Sequence, residues 1–242
     1  HFVRLKFPFN PFIAVQGIAR FHLASVEPFG LYISPVNIDP DKPVIPVSAP
    51  AKFSAWLSQK FGLYKTLGWE NDTFALDENV IDEKAFLSDV KFTVDTWIPM
   101  MDHLLTEPGL DLYVQVYDFT DRVGHMFWRT IDPTHPAADP VADAPYLNVM
   151  PETYARMDDI VGRVRAEMDD KSLLIVCSDH GFNTWHKSVN YNTWLVRNGF
   201  MTLKNDTPDK TKTLEDLFGQ GQFWPNVDWS KTKAYAMGLG DL

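Results

Sequence analysis

The chain has 242 residues, 45% hydrophobic and 14% aromatic, which argues against a disordered chain and allows one large domain or two modest ones. Its net charge of −10 argues against nonspecific nucleic-acid binding, because such surfaces are basic. A phosphate substrate stays open, since bound cations reverse the local field. A single cysteine forbids an intrachain disulfide, and no apolar stretch reaches the length of a membrane span.

In chain order, residues 1–47 alternate short β-like runs with Pro and Gly and predict an antiparallel β element. Residues 37–50 carry four prolines and read as a loop. A helix is expected over 52–61. A longer one is expected over 83–107, where Phe86, Val90, Val94, Trp97, Met101 and Leu104 recur at three- and four-residue steps. Pro99 should kink or divide it. A strand over 112–117 is followed by a Pro- and Ala-rich loop over 132–149. An amphipathic helix follows over 152–168, with Pro151 in its first turn. A strand over 173–178 precedes a helix over 191–198 closed by Gly199. Residues 206–221 are polar and read as mobile. Strand and helix in alternation are the α/β signature.

Two stretches carry the chemistry. The run Leu173-Leu174-Ile175-Val176-Cys177-Ser178 reads as a strand buried on both faces, with Cys177 as an inert core residue, and it passes into Asp179-His180-Gly181-Phe182. A carboxylate and an imidazole at such a strand end stand where open α/β sheets place ligands, and both suit a divalent cation such as zinc. Alternatively the Asp caps the next helix beside a His that packs. The run Leu112-Tyr113-Val114-Gln115-Val116-Tyr117 leads in the same way to Asp121 and His125, four apart and so on one face of a helical turn. Taken alone, that pair reads first as a helix-surface pair. Two Asp/His pairs in one context favour neighbouring metal sites, and two cations roughly 3.5–4 Å apart clamp phosphoryl displacement.

Ser178-Asp179-His180-Gly181-Phe182 together with Asp121-Arg122-Val123-Gly124-His125 resembles the alkaline phosphatase superfamily, specifically its type I phosphodiesterase/nucleotide pyrophosphatase branch. Gly124 to Arg129, Asp132 to Pro136, Val189 to Leu195 and Val227 to Ala236 are similar to stretches of its bacterial members. Leu31 to Pro35 and Ile38 to Asp41 extend the likeness upstream, so it covers nearly the whole chain in order.

The resemblance implies an alkaline-phosphatase-like α/β/α sandwich, partial, over 48–242, with residues 1–47 as the end of an inserted subdomain. It implies a metal-dependent phosphoric ester hydrolase acting on a small-molecule phosphate ester through two divalent ions, expected to be zinc. Asp121 and His125 would bind one ion, Asp179 and His180 the other. The family also uses an early Asp, a Thr or Ser nucleophile that becomes phosphorylated, and a late His; none has a match here. The chain is therefore expected to be an interior piece of a longer polypeptide, with the nucleophile upstream of His1 and little activity in the piece alone. A sulfatase, a phosphoglycerate-mutase-like enzyme and a non-catalytic binding domain are the rival readings. His186 is a candidate for substrate contact. Asp118 rivals Asp121 but lacks the spacing to His125. His135 reads as a loop residue, His22 and His103 as packing or solvated residues, and Trp128 and Trp185 as core fillers.

Overall fold

The computed structural model describes residues 2–10, 13–187, 189–204 and 224–237. The N-terminal element is antiparallel, as its alternation predicts. It comprises β1 (Phe2–Asn10), β2 (Ile13–Ser25), β3 (Gly30–Ile33) and β4 (Asn37–Ile38). The long central β2 pairs with β1 through its first half (Leu5 opposite Gly17). Its second half pairs with β3 (Phe21 opposite Ile33), and β4 joins it at Gly17 and Ile18.

Among the described residues six α-helices follow: α1 (Phe53–Phe61), α2 (Thr73–Asp77), α3 (Glu83–Leu105), α4 (Phe119–Phe127), α5 (Val149–Ala166) and α6 (Tyr191–Arg197). Mixed helices and an antiparallel sheet give the α/β character expected of the sequence. The Asp72 and Asp82 carboxylates accept the Ala75 and Ala85 amides and so start α2 and α3. In five residues α2 has no room for a periodic pattern, so the sequence does not announce it. Pro99 lies inside α3 and does not divide it. An interior proline costs about 3 kcal/mol, whereas burying Ile98, Met100 and Met101 beside it contributes about 1.5–3 kcal/mol each, and packing wins.

The main core joins α2, α3, α4 and α5 through Phe86, Val90, Val94, Met101, Val123, Phe127, Met150 and Ile160. A polar network ties the sheet to this helical body. Asp89 of α3 accepts Arg20 of β2, the Lys65 ammonium (2.6 Å) and the Asn71 amide (2.8 Å). Lys65 is almost wholly buried; loss of water lowers its pKa, and the Asp89 carboxylate opposes that fall.

The two apolar runs depart from the reading. Among the described residues neither 112–117 nor 173–178 forms a β ladder, and neither is buried on both faces. Tyr113 and Tyr117 pack against the helical core, while Val114 is 75% exposed on the opposite side and Leu173 is 84% exposed. Cys177 is exposed as well. Strand propensity measures fit against cross-strand neighbours, and these runs have none among the described residues.

By contact density the chain divides into His1–Thr184 and Trp185–Leu242. In the second unit, Asn190 caps α6, Gly199 takes the left-handed φ of +74° that closes it, and Leu195, Met201, Leu203 and Val227 form a small core. The polar segment 206–221 lies outside the described residues. No helix among the described residues is long and apolar enough to cross a membrane.

Two stability predictions follow from this core. Asp89→Ala strands a buried ammonium and should cost about 3 kcal/mol in urea denaturation; a loss below about 1 kcal/mol would remove the network from the fold's supports. Burial, followed by the nearby Asp118 charge, pushes the Glu70 carboxyl from 4.5 up to about 7. The unfolded chain therefore gives up that proton first, and stability should fall as pH rises from about 4.5 to about 7, then level off. Solvent screening of this half-buried group holds the fall to on the order of 1–2 kcal/mol, and Glu70→Gln should abolish it.

Candidate metal centre

Helix α4 is nine residues long, too short to persist in water unaided. It is held because Phe119, Val123, Met126 and Phe127 are buried against the main core. That apolar stripe turns Asp121, Arg122 and His125 away from the core. Their i,i+4 spacing brings His125 Nε2 to 3.3 Å from Asp121 Oδ1. The stretch after residue 178 supplies the second imidazole, with His180 Nε2 3.4 Å from the same oxygen. The Ser178 hydroxyl donates to the His180 carbonyl, and the Thr184 hydroxyl donates to Asp132, which fixes both ends of that stretch.

The imidazole of His180 has a defined tautomer. Its Nδ1 lies 2.8 Å from the Gly181 carbonyl, which can only accept, so Nδ1 carries the proton and donates. With Nδ1 so engaged, Nε2 of the neutral ring presents a lone pair toward the Asp121 carboxylate. Asp121 Oδ1 is buried and forms no hydrogen bond among the described residues, although two imidazole nitrogens flank it. Two acceptors facing each other at 3.4 Å repel unless a proton or a metal ion lies between them. A second-row donation to a backbone carbonyl is also how metal-bound histidines are oriented. The donor chemistry fits a divalent cation.

Asp179 stands apart from that convergence. Its side chain is 90% exposed; one carboxylate oxygen accepts its neighbour's amide at 3.1 Å, and the other is 3.9 Å from His180 Nε2. Among the described residues no group of three or more His, Cys, Asp or Glu is placed to hold a metal ion. The sequence pairs each Asp with its own His, whereas in space both imidazoles approach Asp121.

Arg122 was passed over in the sequence reading. Its guanidinium lies 3.4 Å from the Asp121 carboxylate and 3.4 Å from that of Asp118, and it rests 4.1 Å over the Trp69 ring. Its Nε is buried without a hydrogen bond among the described residues. The signal available was adjacency to Asp121, which no spacing rule highlights. Asp118 is thus engaged by Arg122 and not by either histidine. Phe182, also unassigned, stands against both imidazoles.

The remaining candidates fall elsewhere. His186 and Trp185 are exposed in the second unit, so Trp185 does not fill a core, whereas Trp128 packs on the main one. The Ala137 amide donates to His135, and His103 pairs with Glu107 at 2.9 Å. His22 is exposed. An open cavity of about 500 Å³ near α2 and α3, lined by His22, Asp82, Glu83 and Arg129 among others, includes none of the four predicted donors.

The comparison with known families agrees with the motif reading. The family model described as type I phosphodiesterase / nucleotide pyrophosphatase matches residues 51–235, well over half of the chain. No curated protein and no solved structure gives a match.

The Gly181 carbonyl, followed by the Asp179 and Asp121 carboxylates, holds the His180 imidazole above its ordinary pKa. A proton and a metal ion then compete for Nε2. Zinc affinity measured by competition titration should rise steadily from about pH 6 to about pH 8, and His180→Gln should flatten that rise. A pH-independent affinity would remove His180 from the ligand set.

Proposed function

The chain belongs to the type I phosphodiesterase/nucleotide pyrophosphatase family, and on that footing we propose that Asp121, His125, Asp179 and His180 hold the divalent metal ions of a phosphoric ester hydrolase. Membership carries phosphodiesterase or pyrophosphatase-type hydrolysis of small phosphate esters, generally with metal ions. The finer reading assigns two ions, zinc by the nitrogen and oxygen donor set, and a two-step displacement through a phosphorylated Thr or Ser. No residue of this chain is assigned as that nucleophile. Residues 1–47 are assigned as the end of an inserted subdomain, and 48–242 as part of the catalytic core.

The observation that carries the reading is the Asp121 Oδ1 atom, buried, without a hydrogen bond and flanked by two imidazole nitrogens. Divalent ions at such a site supply charge neutralisation for the phosphoryl oxygens and an activated oxygen nucleophile. The chain's own residues do the rest. His180 keeps its Nε2 lone pair available because its single N–H, on Nδ1, donates to the Gly181 carbonyl. Arg122 fixes the second oxygen of Asp121 and offsets the charge of Asp118. Asp179, at the exposed rim, is free to swing onto an ion without breaking a buried contact.

Metal analysis of the purified chain, with mono- and diester chromogenic substrates assayed on its longest natural form, tests this. Asp121→Ala should lose nearly all bound zinc, and Asp179→Ala should lower the stoichiometry and the hydrolysis together. Unchanged metal content in Asp121→Ala would sink the assignment.

A further inference from the structure

We propose that Phe182 is the positioning residue that sets the spacing of the two imidazoles, and that residue 124 is a glycine in order to admit its ring. This rests on the metal reading above and deepens it, because it gives a task to a side chain that offers a cation no donor atom.

The ring of Phe182 is wedged between the two motifs. Its centroid lies 5.1 Å from the imidazole of His125 and 5.5 Å from that of His180, at interplanar angles of 77° and 66°. The imidazoles are 6.5 Å apart, so the phenyl group completes a three-ring cluster in which each ring meets the others edge to face. Trp128 stacks on Phe182 at 5.6 Å and 25°, and Trp128 itself packs on the main core. The wedge is therefore referenced to the fixed part of the molecule.

Gly124 is the notch that receives it. A Cβ at that position would stand 2.7 Å from Cζ of Phe182 and 2.9 and 3.0 Å from the two Cε atoms. Carbon atoms pack at about 3.5–4.0 Å, so a methyl group and the ring cannot both be accommodated. Gly124 lies within α4 and has no positive φ, so backbone freedom is not the reason for it, and glycine is a poorer helix former than alanine there. Contact with Phe182 supplies the missing reason. With the ring displaced, the two imidazoles lose the contact that spaces them from each other.

Zinc affinity by competition titration, with the cobalt-substituted absorption spectrum as a second readout, tests the proposal on wild type, Gly124→Ala, Phe182→Ala and the double variant. Each single variant should bind zinc roughly 10–100-fold more weakly, with an altered cobalt spectrum at an unchanged far-UV circular dichroism signal. The double variant should be no weaker than Phe182→Ala, since the added methyl then meets no ring. Should Gly124→Ala fail to fold, Phe182→Leu decides the matter: with no ring between the imidazoles it should bind zinc as weakly as Phe182→Ala, and wild-type affinity in it would overturn the proposal. Wild-type affinity in Phe182→Ala, or losses that simply multiply in the double variant, would overturn the proposal. If wild type itself took up no zinc, the metal reading would fall and carry this one with it, an outcome distinct from normal binding in every variant.

Discussion

The orientation of α4 is the constraint on which the site depends. Nine residues cannot make a stable helix unaided, so its register is set by four buried side chains: Phe119, Val123, Met126 and Phe127. Those four choose which residues face outward. Rotating the helix by one residue would bury Asp121 or His125 against Phe86 and Val90, at a desolvation cost larger than the packing it could recover. The core therefore fixes the chemistry through geometry, without donating a polar atom.

A second layer of charge lies behind the carboxylate. Asp118, Arg122 and Asp121 form a chain of contacts in which one guanidinium serves two carboxylates, and the Asp118 charge adds to burial in raising the pKa of Glu70. Trp69 covers one face of the guanidinium. A cation braced in this way is a stiff counterweight, because arginine stays charged at any working pH and presents a planar fork. Asp121 is thus restrained at one oxygen while the other faces the imidazoles.

Much of this was legible in the residues. The antiparallel N-terminal element, the helices over 52–61 and 83–107 and the pairing of Asp121 with His125 all follow from short-range periodicity, which packing then preserves. What escaped depended on partners distant in sequence. Nothing local says that both imidazoles approach one carboxylate oxygen, that Arg122 braces it, or that Gly124 is shaped to Phe182, 58 positions further along the chain. The runs at 112–117 and 173–178 failed for a related reason: a strand is a property of neighbours as much as of its own residues. Pro99 leaves its helix undivided, since tertiary burial around it outweighs a local rule.

Those two uncovered runs shape how the molecule behaves in solution. Val114, Val116, Leu173 and Ile175 present apolar side chains, beside backbone that carries no ladder, on stretches free of proline and glycine. Such edges template pairing with other copies. Mutual repulsion from a net charge of −10 is the force that resists it, and dissolved salt screens that repulsion beyond about 10 Å at 0.1 M. Ionic strength then governs how long dispersed molecules escape self-association.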